Sequence, residues 1–575
     1  MKSFFAITLV LFLLDGCTGN ELKNDNNFET ICNPMDLNYR FQLELPSRRE
    51  AADPTMMLYR DKYLLFVSKS GGYWYSDDLS NWTFLETNDI PTEEYAPTVI
   101  AIEDTVYFMA SSASKSTIYK SGDPLSGKWS VAKDSFDFPV WDPAFFMDDD
   151  QRLYLYWGCS NLRPIYGVEL DYHNNFSLIG KPMELFNSNP EKHGWEVPGD
   201  FNTRQDAKPW IEGAWMNKHN GKYYLQYAGP GTEFRSYSDG VYVSDSPLSP
   251  YQAAVHNPFA YKPGGYATGA GHGSTFSDFY NNFWHIGTVT ISVKHPFERR
   301  LALFPTFFDE NGELYSSTKF GDFPMIIPRK KIERPEELFP GWMLLSYKKD
   351  VAVSSTIDSL PAVNMTDEDI RTYWASASGD STEWASIDLG EEYGVYAIQI
   401  NFAEHNTNEF GISRGVSYQY AVEASSDNNN WEVIIDKNDN LTSNSHSYTQ
   451  LEEKINCRYL RIKNKRVTSG NFALSGFRVF GIGSGEKPAG VGTPVISRNL
   501  SDRRSVLVSW EKSELATGYI VNYGVEKDKL YHSYMVFSDT SVRINSLNRE
   551  LSYYFTVEAF NENGVASTGN AIHIE

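Results

Sequence analysis

The stretch that decides the fold is RLYLYW at residues 152–157, a short aromatic-rich run that follows an acidic turn. Three similar runs stand at 62–67 (KYLLFV), 105–109 (TVYFM) and 222–227 (KYYLQY). Tyr, Phe, Val and Leu in such runs favour β-strands. A strand unit that recurs every roughly 45 to 70 residues is too long for a solenoid and is typical of β-propeller blades. The spacing predicts about five blades between Asn33 and Pro328.

The composition of the 575-residue chain agrees with a large β protein. Its length predicts three or four domains. Basic residues number 51 and acidic residues 74, for a net charge of −23, and no basic stripe is visible, which argues against a nucleic-acid partner. Aromatic residues make up 15% of the chain, which suits half-buried pleated surfaces and platforms that stack on sugars. We therefore expect an all-β, globular protein.

Shifts in composition divide the chain into modules. We predict a five-bladed propeller at 33–330, a β-sandwich at 345–483, a Gly- and Pro-rich linker at 484–493, and a second β-sandwich of immunoglobulin-like size at 494–575. The fold class is thus all-β, a five-bladed β-propeller followed by two β-sandwich domains.

The first residues resemble a bacterial export signal. A charged start and an apolar run from Phe4 to Leu14 are typical of a signal peptide, which we place at 1–17. The residues up to Cys17 resemble a lipobox, although Asp15 departs from that pattern, and residues 18–32 are polar like a tether. We expect an exported, lipid-anchored envelope protein, or otherwise a secreted one. If Cys17 is acylated, the three remaining cysteines imply no disulfide framework.

Three acidic residues stand just before or at the start of predicted strands on different blades. Asp53 and Asp142 each precede a proline, and Glu212 lies between bulky apolar residues. Each also has a purely structural interpretation, since Asp-Pro starts turns and a glutamate can face solvent from a strand. Blades present their innermost strands to the propeller axis, so the three carboxyl groups could meet in one pocket. Such a pair of carboxyl groups, one protonating a leaving oxygen and one activating water, is the machinery of a glycosidase.

Residues 33–328 resemble glycoside hydrolase family 43. The motifs YAP (95–97), SDDLSNW (76–82) and SDGVYVSDSPL (238–248) carry the likeness together with the three acids. The resemblance implies a five-bladed propeller and single-displacement hydrolysis with inversion. It assigns Asp53 as general base, Glu212 as general acid, and Asp142 as the residue that tunes the pKa of its partner and orients it.

The same resemblance suggests further site residues. His272, in a Gly-rich approach, matches a histidine that lies on the propeller axis, commonly bound through water to calcium, so a structural calcium ion is expected and no organic cofactor. Arg299 matches an arginine near the acid pair, with Arg300 as the alternative. Candidate sugar platforms are Trp74, Trp141, Trp195 and Trp215, each of which could instead pack in the core. Residues 193–200 form an insert that could overhang the pocket.

The two later modules also resemble known domains. The motifs RTYWAS (371–376), WASIDLG (384–390), YLRI (459–462) and SGFRV (475–479) resemble the discoidin or factor 5/8 C-terminal type, close to family 32 carbohydrate-binding modules. This module binds glycan or serves as a spacer. Trp510, Tyr519, Leu547 and Tyr553 fit the core and tyrosine corner of a fibronectin type III domain.

The leading hypothesis is an exo-acting α-L-arabinofuranosidase acting on a polysaccharide or oligosaccharide. Alternatives within the family are β-xylosidase, arabinanase and galactan-directed activities. A glycan-binding surface protein on an inactive propeller is the non-enzymatic alternative, and the intact acids speak against it. A related propeller family with retention of configuration, in which Asp53 would attack the sugar directly, is a third.

Overall fold

A computed structural model describes residues 28–114, 116–411, 417–567 and 569–575. The signal peptide, the lipobox and most of the tether lie outside the described residues. Within them the chain is built of strands, with 3-10 helices at Pro124–Ser126, Tyr172–Asn174, Gly194–Glu196, Pro335–Leu338 and Ala362–Met365. In this part of the chain no helix has the length and apolar character needed to cross a bilayer.

Five four-stranded antiparallel sheets follow one another along the chain, each ordered as in the sequence. A short strand β1 (Thr30–Ile31) comes before them. Blade 1 comprises β2 (Thr55–Tyr59), β3 (Lys62–Phe66), β4 (Gly72–Ser76) and β5 (Trp82–Glu86). Blade 2 comprises β6 (Thr98–Ile102), β7 (Thr105–Met109), β8 (Ile118–Ser121) and β9 (Ser130–Lys133). Blade 3 comprises β10 (Ala144–Met147), β11 (Leu153–Trp157), β12 (Ile165–Asp171) and β13 (Ser177–Phe186). Blade 4 comprises β14 (Glu212–His219), β15 (Lys222–Gly229), β16 (Ser238–Ser244) and β17 (Gln252–Ala253). Blade 5 comprises β18 (Gly271–Ser277), β19 (Phe283–Thr290), β20 (Arg299–Phe308) and β21 (Leu314–Ser316), and β22 (Met325–Ile326) follows it.

The first strands of neighbouring blades contact one another around a closed ring, from β2 through β6, β10 and β14 to β18 and back to β2. The four runs quoted above form the second strands of blades 1 to 4, where their side chains are largely buried between blades. This arrangement confirms the predicted five-bladed propeller. It also places the start of every innermost strand at the same end of the ring.

The ring is closed by the segment that precedes blade 1 rather than by a strand shared between blades. Met35 N–H donates to Leu301 O, and Ala51 N–H donates to Arg299 O, both on β20 of the last blade. The side chain of Asn33 donates to Leu303 O and accepts from Leu303 N–H. Residues 33–51 therefore latch blade 5 to the entrance of blade 1.

The second module is a β-sandwich built on two long bent strands. Its strands are β23 (Met343–Leu344), β24 (Asp350–Val353), β25 (Trp374–Ala375), β26 (Trp384–Phe402), β27 (Gln419–Ser425), β28 (Glu432–Asp436), β29 (His446–Arg466) and β30 (Ala473–Ile482). The register of β26 on β29 shifts between Asp388 and Tyr393. The first half of β26 pairs with β24 and the second half with β30, so both long strands serve two sheets around one apolar core.

The third module has two sheets. Its strands are β31 (Val495–Arg498), β32 (Val506–Ser509), β33 (Gly518–Gly524), β34 (His532–Phe537), β35 (Ser541–Ile544), β36 (Tyr553–Asn561), β37 (Gly564–Val565) and β38 (Ile572–Ile574). One sheet is ordered β31-β32-β35, and the other centres on β33 and β36. The Tyr553 hydroxyl accepts from Asn548 N–H, the contact expected of a tyrosine corner. The two-sandwich prediction is confirmed, whereas the type III identification stays a prediction.

The three modules are packed on one another. An apolar cluster at their junction joins Phe320 and Phe323 of the propeller segment, Phe480 of the second module and Phe560 of the third. Between the propeller and the second module, the buried Arg49 forms an ion pair with Glu404 at 2.7 Å. The predicted linker is itself tied down, because Asn561 donates to Glu486 O and Val491 is buried in the third module's core.

Candidate active site

Every blade carries a residue with a left-handed backbone at the entrance to its innermost strand. The φ values are 53° for Asp53, 46° for Ala96, 50° for Asp142, 62° for Gly213 and 43° for His272. Such angles are uncommon outside glycine and are tolerated best by Asp, Asn and His. In three blades the residue in this conformation is Asp53, Asp142 or His272, and the side chains of these three meet.

Asp53 is held as a carboxylate by cationic and hydroxyl donors. Arg299 Nη1 donates to its Oδ1 at 3.1 Å, and Ser68 Oγ donates to its Oδ2 at 2.5 Å. Its own N–H donates to Thr288 Oγ1 at 3.0 Å. Burial tends to raise the pKa of this carboxyl, but the Arg299 guanidinium, with His272 and Ser68, holds it below its usual value. An ionised carboxylate of this kind is suited to accept a proton from water.

Asp142 has the opposite character. Ser111 Oγ donates to its Oδ1 at 2.9 Å, and its own N–H donates back to Ser111 Oγ at 2.8 Å. Burial raises the pKa of Asp142 to about 7; the charges of Glu212 and Asp53 add to this effect and that of His272 opposes it. Two neighbouring acids with such different environments are the usual arrangement for separate acid and base roles.

Glu212 accepts two hydrogen bonds that sequence reasoning did not foresee. Tyr237 Oη donates to its Oε1 at 2.6 Å, and Cys159 Sγ donates to its Oε2 at 3.2 Å. Ligand atoms of Asp142, Cys159 and Glu212 all lie within 4.8 Å of one another. The predicted proximity of Asp142 to Glu212 is thereby found, and Tyr237 and Cys159 fix the direction in which the Glu212 carboxyl points.

His272 lies between the two aspartates. Its Nδ1 is 3.3 Å from Asp53 Oδ1 and 3.7 Å from Asp142 Oδ2. Burial lowers the pKa of the imidazole, yet the surrounding carboxylates, Asp53 foremost, raise it above its usual value. Below the ring, Gly213 leaves no room for a side chain, because a Cβ there would come within 2.5 Å of the imidazole. The ring is therefore clamped in a position where it bridges the two acids.

The calcium prediction rests on His272, whose Nδ1 takes carboxylate partners. Among residues 28–114, 116–411, 417–567 and 569–575, the one cluster with metal-like spacing is Asp142, Cys159 and Glu212, which does not include His272. A thiol suits softer ions, whereas calcium prefers six to eight oxygen ligands. The side chains thus do not form a calcium site by themselves, and an ion held mostly through water stays a prediction.

Arg299, and not its neighbour Arg300, reaches Asp53. Besides Asp53, Arg299 donates to Glu50 Oε1 at 2.8 Å and to Thr232 Oγ1 at 2.9 Å, and its side chain is buried. Arg299 therefore holds the Asp53 carboxylate in place, rather than being free to bind substrate. Arg300 points away, toward His446 of the second module, with Nε 3.1 Å from His446 Nε2.

Two of the four proposed tryptophan platforms are wrong. Trp74 is 1% exposed and Trp195 is 0% exposed; both are packed in apolar cores, so neither can stack on a sugar. Trp215 is half-buried and donates its indole N–H to Thr275 O of the next blade. Trp141 is 42% exposed and immediately precedes Asp142, which keeps it as a candidate platform. Trp210, two residues before Glu212, is 44% exposed and is a further candidate platform. Its sequence neighbours do not distinguish it from a tryptophan that packs in the core.

A cleft of about 590 Å³ lies between loops of the propeller and the second module. Its lining includes Phe201 and Arg204 from the insert between blades 3 and 4, Glu233 and Phe234 from the loop after β15, and Arg371 from the second module. Thr232, which accepts from Arg299, directly precedes Glu233 in that loop. Of the predicted insert, residues 193–200, Gly199 and Asp200 line this cleft, whereas Trp195 is buried.

Comparison with known proteins assigns two domains. Residues 47–314 match the family described as glycosyl hydrolases family 43, and residues 350–476 match the F5/8 type C domain. The chain is 27% identical over 164 residues to a beta-xylosidase of Xylanibacter ruminicola, covering 24% of this chain and 44% of the relative. It is 27% identical over 304 residues to the beta-D-galactofuranosidase xynD of Aspergillus niger, covering 46% and 81%. It is 26% identical over 160 residues to a xylosidase/arabinosidase of Bacteroides ovatus, covering 24% and 43%. The matches thus span less than half the length of two of these relatives.

Proposed function

Because the chain carries a family 43 glycosyl hydrolase domain with all three acids in place, we propose that it is a glycosidase that cleaves a polysaccharide or oligosaccharide by single displacement with inversion. Asp53 removes a proton from the attacking water. Glu212 protonates the departing glycosidic oxygen. Asp142 adjusts the proton balance of Glu212 and is linked to Asp53 through His272.

The observation that carries this proposal is the contrast between the two sides of the pocket. On one side Arg299 and Ser68 stabilise a charged Asp53. On the other, Asp142 titrates near neutral pH and lies in one cluster with Cys159 and Glu212. A base kept ionised and an acid cluster that retains a proton are what hydrolysis of a glycosidic bond requires. An inverting enzyme would have the reacting carboxyl groups about 6.5–9.5 Å apart, to leave room for water.

For the sugar, we propose exo-release of α-L-arabinofuranose, with β-D-xylose as the second candidate. The relatives described as a beta-xylosidase and a xylosidase/arabinosidase support both sugars equally. The relative described as a beta-D-galactofuranosidase adds β-D-galactofuranose as a third candidate sugar. We further propose that the F5/8 type C domain contacts the same substrate.

The test is hydrolysis of aryl α-L-arabinofuranoside, β-D-xylopyranoside and β-D-galactofuranoside, with the first-formed anomer followed by NMR. We expect one sugar to be released with inverted configuration. Asp53→Asn should lower kcat by about 100-fold to 10,000-fold on every substrate. Glu212→Gln should lose a comparable factor on poor leaving groups and much less on an activated aryl glycoside, since such a leaving group needs little protonation.

Retention of configuration would replace the inverting mechanism by a double displacement with Asp53 as nucleophile. Equal loss in Glu212→Gln on good and poor leaving groups would remove Glu212 from the acid role. Silence of the wild-type protein on the aryl panel and on polysaccharides would favour the glycan-binding alternative.

A further inference from the structure

A cavity of about 390 Å³ lies between the propeller and the third module. Its propeller wall includes β21, the outermost strand of blade 5, whereas Asp53, Asp142 and Glu212 lie at or just before the first strands of their blades. Its other wall is the sheet of β33, β34 and β36. The volume falls within the range of about 300–1,000 Å³ that is usual for small-molecule sites. The cavity is therefore separate from the acid pocket and large enough for a ligand.

A row of polar side chains crosses the third module's wall. Asn522 of β33 pairs with Ser533 of β34 on one side and with Thr556 of β36 on the other, and all three line the cavity. On the same face of the sheet, two positions along, Ile520 and Met535 are buried in the apolar junction with the propeller. Packing on the propeller would favour apolar residues in the polar row as well, so these three side chains are suited to a different partner.

The hydrogen-bonding groups of this row are buried but weakly paired. Asn522 is 7% exposed and Thr556 is 3% exposed. Asn522 Nδ2 lies 3.5 Å from Thr556 Oγ1, and Ser533 Oγ lies 3.5 Å from Thr318 Oγ1 of the propeller, both at the upper limit for a hydrogen bond. Within the part of the chain that the structure describes, the Asn522 side chain makes no other hydrogen bond. Its carbonyl oxygen can therefore accept from a molecule in the cavity, as buried polar groups require.

The charges around the cavity balance one another. Lys319 Nζ is 2.6 Å from Glu558 Oε2, and this ion pair joins the propeller to the third module at the wall of the cavity. The exposed rim carries two cations and two anions, which are Arg334, Lys527, Glu336 and Asp528. Such a balance disfavours a ligand with a strong net charge. A neutral ligand that both donates and accepts hydrogen bonds fits the polar row, and hydroxyl groups do both.

Aromatic and apolar groups complete the lining. Tyr315 of β21 and Tyr531 of β34 are stacked, with ring centroids 3.8 Å apart and an angle of 1° between their planes. Tyr531 Oη also donates to Asp309 Oδ2 of the propeller at 2.8 Å. These contacts hold the two walls at a fixed separation, and Leu530 and Pro335 add apolar surface. A preformed cavity with apolar lining and a few fixed polar groups is the usual form of a small-molecule site.

We propose that this cavity is a second carbohydrate-binding site, which holds a neutral sugar chain away from the acid pocket and takes no part in bond cleavage. The amide of Asn522 and the hydroxyls of Ser533 and Thr556 bind hydroxyl groups of the sugar, while the apolar lining contacts its C–H groups. The site goes beyond the proposed hydrolysis and gives the third module a binding role of its own.

The first test is calorimetric titration with (1→5)-α-L-arabinotriose and with (1→4)-β-D-xylotriose, in the Asp53→Asn background so that the probes stay intact. Thr556→Val removes one hydroxyl of the polar row at nearly constant volume. Thr540→Val, at a half-buried threonine of the same module outside the cavity, is the matched control. We expect two sites for at least one probe, and binding to the second about fivefold weaker in Thr556→Val, because a hydrogen bond is lost. Thr540→Val should leave both sites unchanged.

The second test separates the cavity from the acid pocket. In the otherwise wild-type protein, Thr556→Val should leave kcat/KM on aryl monoglycosides unchanged, since the cavity lies apart from the acids. Thermal unfolding checks that each variant is folded, and Asn522→Leu replaces Thr556→Val if the latter is not.

Identical titrations for the cavity variant and Thr540→Val, or a single site for both probes, would overturn the second site. A fall in kcat/KM on aryl monoglycosides equal to the fall in affinity would also overturn it, because the cavity would then act through the acid pocket. Absence of all hydrolysis, with the second site present and weakened in Thr556→Val, would overturn the glycosidase function alone.

Discussion

The thiol of Cys159 donates a hydrogen bond to the carboxyl group of Glu212, with Sγ 3.2 Å from Oε2. Burial, with the charges of Asp142 and Glu212, raises the pKa of this thiol far above its usual value. The group therefore stays a thiol at neutral pH and acts on Glu212 as a hydrogen-bond donor. Ser160 N–H donates to Ile211 O, and Ile211 N–H donates to Ser160 O. These two hydrogen bonds hold the segment that carries Cys159 beside Glu212.

Replacing Cys159 by Ala should lower kcat/KM by about tenfold, because a hydrogen bond to a charged or ionisable group is lost. Cys159→Ser keeps a donor and should retain more activity than Cys159→Ala. Iodoacetamide should react with Cys159 far more slowly than with free cysteine at pH 7.5, since the thiolate is the nucleophile. Mass spectrometry of the alkylated residue measures that rate. Rapid, specific alkylation of Cys159 would contradict the assigned protonation.

The alkaline limb of the pH profile should depend on Asp142. Burial raises the pKa of Asp142 to about 7, so above that pH we expect Asp142 to add a negative charge beside Glu212. In Asp142→Asn, position 142 carries no negative charge that opposes the ionisation of the Glu212 carboxyl. The proton needed for leaving-group departure is then lost at lower pH, and the alkaline limb of kcat/KM should move down by about one pH unit. Asp149→Asn, an exposed acid on the same blade, is the control and should leave the limb in place.

The acidic limb should depend on Arg299. This guanidinium, together with His272 and Ser68, holds the pKa of Asp53 below its usual value against the effect of burial. Arg299→Gln removes the positive charge, so Asp53 should take up a proton at higher pH and the acidic limb of kcat/KM should move up by about 1–2 pH units. Arg299→Lys keeps the charge and should move the limb less. An unchanged limb in Arg299→Gln would show that another group governs the base.

The buried ion pair between Arg49 and Glu404 should be a strong determinant of stability. Arg49→Met removes the nearest cation of the Glu404 carboxylate, which is 3% exposed, and leaves Lys294 and the more distant Arg300 as its cationic neighbours. We expect a loss of about 3–5 kcal/mol in the free energy of unfolding, measured by denaturant titration. The double variant Arg49→Met with Glu404→Leu should recover much of that loss. Additive destabilisation in the double variant would argue against the pairing as the cause.

Trp195 and Trp141 should affect different quantities, the first stability and the second activity. Trp195→Ala empties a fully buried volume and should cost about 3–5 kcal/mol of stability. Trp141→Ala, at an exposed position beside Asp142, should leave the melting temperature nearly unchanged and lower kcat/KM. Thermal unfolding and kinetics on the same two preparations test the distinction. A stable Trp195→Ala protein with a raised KM would support the original prediction that Trp195 binds substrate.

The sequence predicted the elements whose signal is local. Second strands such as 152–157 are buried on both faces and read as continuous apolar runs, and Asp53 and Asp142 are marked by the proline that follows each left-handed turn. Partners contributed by distant segments have no such signal. Tyr237 and Cys159 contact Glu212 only because neighbouring strands and blades bring them there. Trp195 packs against Gly240, and the residues next to Trp195 in the sequence do not indicate this contact.

The latch formed by residues 33–51 ties catalysis to topology. It ends immediately before Asp53, and the strand that it grips begins with Arg299, the partner of that acid. The base and its counter-ion lie 246 positions apart in sequence and come together only when the last blade meets the first. On the proposed mechanism, activity therefore requires a closed ring, because an open ring separates Asp53 from Arg299 however well formed its separate blades are.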